Sequence, residues 1–371
     1  MKKKAFRVAF TVTWAAVCIA LIFMLVAGRW GGFPWVSGIQ FGGSGTAELL
    51  RQENAPSQSV ERLEISAHSQ GVRIFAVDGG EFAVRHYGPG DLPEDEQVQV
   101  RQEGGALRVS VPDKARRRTF FFFGYTEGQR LEIDVPRDWA GGVTASTSSG
   151  GVIVEDSFSW KSADLKTSSG GIHVKDTLRL TEQFYAKVSS GGIRLNDVTA
   201  ASASLKSTSG GVSVTGALAL SGELDASASS GGLRLGMVTA RSIRANATSG
   251  GVSADVLETD SFDLSTSSGG LSIGKLTGNG RLKSTSGGVR VNQLIPTGTV
   301  DATASSGGIT LAVPSDVFFR FDASCTSGSI KSDYNLSYSG SNNKSATYEN
   351  GTGGPAVNAH STSGGIRLNR G

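Results

Sequence analysis

Three aspartates and a set of basic residues are the side chains whose types and spacing suggest chemistry. Asp156, Asp176 and Asp197 each lie seven residues after the serine of a Ser-Gly-Gly triplet. In a chain that coils and stacks, such residues would sit about 4.8 Å apart. Stacked carboxylates can hold a hard cation such as calcium, and a single aspartate ending a strand is also an ordinary turn residue. Four residues after the same serine stand His173, Arg194, Arg234, Arg290, Lys331 and Arg367. Three before it stand Lys166, Lys187, Lys206, Lys283 and His360, and neither position holds an acid in any copy. A one-signed row of this kind attracts anionic polymers, whether teichoic acids, acidic glycans or lipid head groups. It can equally be a solvated face that keeps strand edges from aggregating. Catalysis finds less support. The four histidines, at 68, 86, 173 and 360, have no metal-ligand spacing. The many serines have no base placed beside them, and neither a nucleophile elbow nor a phosphate loop is present. The sequence points to no catalytic residues and no cofactor, and to no metal site beyond the aspartate trio.

The elements that must position these residues are repeats. Ser-Gly-Gly begins at Ser149 and again at Ser169, Ser190, Ser209, Ser230, Ser249, Ser268, Ser286, Ser306 and Ser363, with a degenerate Ser-Gly-Ser at Ser327. A period near 20 marks a repeat architecture. Three and five residues after the serine the chain is apolar, as at Val152 and Val154 or Ile172 and Val174. Upstream, Leu165, Leu205 and Leu264 continue the alternation. Period two means strands with one buried face. One glycine corner per repeat, with glycine free to take positive φ, suits a coil that winds once and stacks on the next. Ser or Thr just before each motif, from Ser148 to Thr362, would form hydroxyl ladders. The expected fold is all-β, a parallel β-solenoid of about eleven coils, closed by the final copy at Ser363–Leu368.

The remainder of the chain frames this array. It has 371 residues, 51 of them glycine, and a net charge of +3 that is too small to argue for nucleic acid. Its two cysteines, Cys18 and Cys325, imply no disulfide framework. Lys2, Lys3, Lys4 and Arg7 precede a charge-free run over 8–28, long enough to span a bilayer as a helix. The basic flank places the N-terminus in the cytoplasm and the repeats outside, as a single-pass protein of the cell membrane. A cleaved signal peptide is the competing reading. Residues 29–58 read as a linker, 59–140 as an N-terminal cap with the first coils, and 141–371 as the solenoid, with an inserted loop at 333–356. Phe120 to Phe123, after Arg116 to Arg118, form either a buried cap strand or a membrane or partner contact.

The S-x-S-G-G-[IVL]-x-[VLI] string, the strand ending in Val135-Pro136 and the terminal S-T-S-G-G-I-R-L resemble the bacterial "putative adhesin" family over about 60–371. The resemblance implies a β-solenoid-like surface domain, and it supplies no activity and no catalytic residues. The leading expectation is a non-enzymatic, membrane-anchored module that binds or scaffolds envelope components. Lipid bilayer would be its partner through residues 8–28, and an anionic cell-wall polymer or glycan its ligand. The alternatives are a polysaccharide-active β-helix enzyme and an accessory of an envelope-stress signalling system.

Overall fold

The computed structural model describes residues 47–112 and 129–371. The charge-free run at 8–28 and the Phe120–Phe123 segment lie outside the described residues. Among the described residues the chain is strands, turns and a few three-residue 3-10 turns, and no helix is long and apolar enough to cross a membrane.

One repeat shows how the coil is made. Ser162–Thr167 forms a first wall, Ser168 to Gly171 the corner, Ile172–Val174 a second wall and Leu178–Leu180 a third. Each wall pairs in parallel and in register with the same wall one repeat later: Leu165 with Ala186, Ile172 with Ile193, Leu178 with Val198. Alternate residues point inward, so Ala163, Leu165, Ile172, Val174, Leu178 and Leu180 are all buried. Equivalent apolar residues therefore stack from coil to coil. Burying each large one contributes about 1.5–3 kcal/mol before the entropy of ordering the chain is set against it. From Leu233 the walls run together into long strands, Leu233–Ala247, Val252–Thr266, Leu271–Ser284 and Val289–Ala304. There the bend between second and third walls is only two residues, Gly236 and Met237 or Gly274 and Lys275, and the ladder continues across it.

The corner glycines are needed for closeness, not for handedness. None of the Ser-Gly-Gly glycines has a positive φ, so the conformational reason expected from the sequence does not hold. A Cβ on the first glycine of a pair would run into the backbone of the first glycine one coil earlier, as Gly231 does against Gly210. A Cβ on the second would meet the carbonyl of the following coil at about 3 Å, as Gly232 does with Gly251. The hydroxyl ladder also sits elsewhere than expected. The residues just before the motif are exposed. It is the buried position one residue earlier that bonds between coils: Thr167 donates to the Gly150 carbonyl (2.8 Å), Thr266 to Gly250 (2.9 Å) and Ser361 to Gly307 (3.2 Å). The same oxygens accept from the first glycine amide of their own corner, at Gly170, Gly269 and Gly364.

Chain order and stacking order part company at both ends. Arg62–Ala67 lies between Gly142–Thr147 and Ala106–Ser110, so the chain builds its second layer first and then the outermost one. Glu81–Gly88 covers this end, pairing antiparallel with Arg130–Pro136 and Glu48–Pro56. At the other end Ala356–Ser361 inserts between Val289–Ala304 and Phe319–Cys325, and Ile366–Arg370 between Ile309–Val313 and Ile330–Ser332. The final motif copy thus does not close the stack; the degenerate copy at Ser327 does. Ser329 stands where the second glycine belongs, and a side chain fits there because no further Ser-Gly-Gly corner follows that layer. The Cβ of a residue at Gly365 would already meet the Ser329 carbonyl at 3.0 Å.

Candidate functional site

The two outward basic positions become two columns with different electrostatics. On the first wall Lys166, Lys187 and Lys206 stack one coil apart. Beside them, two residues upstream, runs a column containing Asp164, Asp225, Asp263 and Asp301. Lys166 pairs with Asp164 at 2.7 Å and lies 5.1 Å from the Tyr185 ring, and Lys206 pairs with Asp225 at 3.2 Å. Lys187 and, further along, Lys283 have no ion pair among the described residues. Further up the acidic column, Asp225, Arg244, Asp263, Arg281 and Asp301 alternate in sign. The first wall is therefore close to charge-balanced.

The second wall is not. Its outward column runs His173, Arg194, Ser213, Arg234, Ser253, Ser272, Arg290, Thr310. Arg194, Arg234 and Arg290 are exposed and form no ion pair among the described residues. They line a groove of about 940 Å³ that follows the stacking direction from Gly192 to Thr310, its other edge being the row of second glycines. Among the described residues no carboxylate lines it. The positive field is felt at its end: burial, then Lys175 and Arg194, hold His173 below the ordinary histidine pKa, against the opposing pull of Glu155.

The aspartate trio is not gathered into a site. Asp156 accepts from the Ala76 amide (2.9 Å), Asp176 from Thr177 (2.8 Å) and Asp197 from Ala217 (2.8 Å). Val198 pairs with Leu178, which aligns Asp197 with Thr177 and not with Asp176. That coil has one residue fewer between its corner and third wall, so counting from the serine slips by one. Among the described residues no three His, Cys, Asp or Glu form a group able to hold a metal. The carboxylate that does organise its surroundings is Glu155, which pairs with Arg73 and Lys175, each at 2.6 Å. Burial pushes its carboxyl up, but the hydrogen bonds from Lys175 and Arg73 outweigh this and leave it below the usual range.

The histidines are dispersed, and one is buried in the cap. His86 accepts from the Val98 amide through Nδ1 (3.2 Å), and burial lowers its pKa from 6.5 to about 4. Its contribution is complete above the unfolded-state pKa and is lost as pH falls from about 6.5 towards about 4, because only the unfolded chain takes the proton readily. The expected loss by pH 4 is on the order of 2 kcal/mol, allowing for residual solvent screening. Urea titrations across that window should show it, and His86→Asn, which keeps an acceptor, should flatten the slope. An unchanged slope would contradict the assignment.

The Toastrack DUF4097 family model matches residues 60–236 and again 219–369. The chain belongs to the Toastrack DUF4097 family. None of the curated proteins matches it. Among solved structures it is similar to one described as a putative lipid binding protein from Parabacteroides distasonis, at 11% identity and a TM-score of 0.42, covering 88% of this chain and 98% of that one. Another, described as a putative adhesin from the same organism, has 9% identity, a TM-score of 0.38 and coverage of 87% and 98%. A putative adhesin from Bacteroides fragilis follows at 13% identity and 0.33, covering 86% and 96%. At such scores and identities the likeness carries nothing about ligands. The two matches overlap at 219–236, a stretch that includes Gly232 and Arg234 of the groove.

Proposed function

We propose that the protein is a non-enzymatic surface module, held in the cell membrane by residues 8–28 with its repeats outside, that binds an anionic envelope polymer along its second wall. The observation that carries this reading is the row Arg194, Arg234 and Arg290, unpaired and exposed in a groove without carboxylates. The groove holds cations and hydroxyls but no acid, so it offers an anion contacts and no general acid or base. Each exposed contact is weak and salt-screened, and affinity comes from several made at once.

The test is binding of two polyanions, polyphosphate and polygalacturonate, to the full-length chain. Affinity for at least one of them should fall steeply between low and physiological salt. Replacing Arg194, Arg234 and Arg290 together by Ser should weaken it at least tenfold with an unchanged melting temperature. By contrast Lys166→Ser with Lys206→Ser, whose lysines are already paired with aspartates, should change it less than threefold. A triple variant that binds both polymers as the parent does would sink the reading.

A further inference from the structure

The glycine edge of the groove has hydrogen-bonding capacity that the fold leaves unused. At each corner the direction of the ladder reverses. The two serine amides donate to the preceding coil, as Ser189 does to Thr167 and Ser190 to Ser168, while the residue after the glycines donates to the following coil, as Ile193 does to Gly211. The glycine amides between them are caught in the reversal. In the corners where a Thr or Ser oxygen accepts from the first glycine, at Gly170, Gly269 and Gly364, one amide is satisfied. Val188, Ala228 and Ala247 replace that hydroxyl in the corners before Gly191, Gly231 and Gly250. There both successive amides, Gly191 with Gly192, Gly231 with Gly232 and Gly250 with Gly251, have no protein acceptor among the described residues. These glycines are half-buried, and the second of each pair lines the groove. Buried or half-buried backbone amides are normally paired, and a free amide at the edge of a groove can donate a charge-assisted hydrogen bond to an oxyanion.

The two edges match. The second-glycine amides, which have no protein acceptor among the described residues in any Ser-Gly-Gly corner, run along the groove opposite the arginines, Gly192 in the coil of Arg194, Gly232 in that of Arg234 and Gly288 in that of Arg290. Each of these coils therefore presents the second glycine's amide and a guanidinium fork to the same stretch of groove. Between them Ser213 adds a hydroxyl. Arg194 and Arg234 are two coils apart, about 10 Å, and Arg234 and Arg290 three coils apart, about 14 Å. Donors converging from backbone and side chain at one level outnumber the two oxygens of a carboxylate and suit a phosphate group, which offers more acceptors and which Arg grips bidentately.

Resting on the reading of the groove as a polyanion site, we propose that its ligand is a linear phosphate polymer, lying along the stacking direction with phosphates seated at the Arg194 and Arg234 coils against the second-glycine amides. Charge alone would not need the glycine edge; this site does.

Calorimetry on the full-length chain tests it with polyphosphates of increasing length, pyrophosphate, polygalacturonate and phosphatidylglycerol vesicles. Long polyphosphate should bind at least tenfold more tightly than polygalacturonate of equal charge. Pyrophosphate, too short to reach from one arginine to the next, should bind at least tenfold more weakly than the long chain. Ser213→Gln with Ser272→Gln keeps every charge but lays neutral amide side chains over the glycine edge. It should lower polyphosphate affinity at least fivefold with the melting temperature unchanged. If polygalacturonate binds as tightly as polyphosphate, through the same arginines, the phosphate assignment falls while the polyanion reading stands. If the arginine triple variant binds every probe as the parent does, both fall. If the Gln pair leaves polyphosphate binding unaltered, the glycine edge is not part of the site. Tighter binding to the vesicles than to polyphosphate would mean a head-group surface instead of a linear polymer.

Discussion

Replacing Gly231 by Ala is expected to destabilise the solenoid by about 4 kcal/mol or more, while Gly232→Ala, one residue on, is expected to lose only about 1 kcal/mol. The two glycines share a corner and neither has a positive φ, so conformational freedom does not separate them. Their neighbours do. The Gly231 Cβ would overlap the carbonyl group of Gly210 and the amide of Gly211, both backbone. Neither can rotate away, so the coils must part at the corner and release hydrogen bonds such as Ser229 to Ser207 and Ser230 to Thr208, each worth about 1 kcal/mol net. The Gly232 Cβ would meet the Gly251 carbonyl oxygen at 3.0 Å, a contact that a shift of a few tenths of an ångström relieves. Urea unfolding of both variants measures the difference. Stability in a repeat array is a sum of local and nearest-neighbour terms, so Gly231→Ala should also split unfolding into two transitions. Equal destabilisation by the two variants would refute the stacking account.

What the sequence disclosed and what it hid follow from the range of the interactions involved. Alternation at Ile172 and Val174, or Leu264 and Thr266, depends only on which face a residue takes, and a reader of the sequence can count it. The pairing of Lys166, Lys187 and Lys206 into one column was equally countable, because no residue is gained or lost between corner and column in those coils. The neutralising partners were harder: Lys206 meets Asp225 from the next coil, a contact across 19 positions that no local pattern shows. Asp197 illustrates a different failure, since a single missing residue in one turn moves it off the Asp176 level. The insertion of the last copy near the end of the stack had a signal, the serine at 329 in place of glycine, but its meaning appears only once the second glycine is known to face the following coil. The free glycine amides were hidden altogether, because they arise from the reversal of bonding direction at the corner and not from any side chain.

A half-buried ion pair helps to fasten the N-terminal cap, and Asp134→Ala is expected to destabilise the protein by about 3 kcal/mol. Arg85 lies on Glu81–Gly88, the antiparallel strand that covers the first layers, and Asp134 on Arg130–Pro136, the strand it covers. The guanidinium donates to both carboxylate oxygens, at 2.7 and 2.6 Å. Asp134 is 8% exposed, so solvent screens the pair little. Desolvation of the two ions offsets much of their attraction, and the pair itself adds little net stability. Removing one partner is different, because half-buried Arg85 then keeps only a longer contact, to a carboxylate that Arg130 also engages at 2.8 Å. Glu132, 3.7 Å away, cannot reproduce the two-pronged geometry. Since Arg130–Pro136 forms part of the outermost layer, loosening the covering strand would expose a sheet edge able to pair with another chain. Asp134→Ala should therefore show both a lower urea midpoint and concentration-dependent aggregation near the transition. Arg85→Met combined with Asp134→Leu removes both charges and keeps apolar bulk, and it should recover most of the loss. If the double variant is as unstable as Asp134→Ala alone, the cap is held by the shape of these side chains and not by the balance of charge between them.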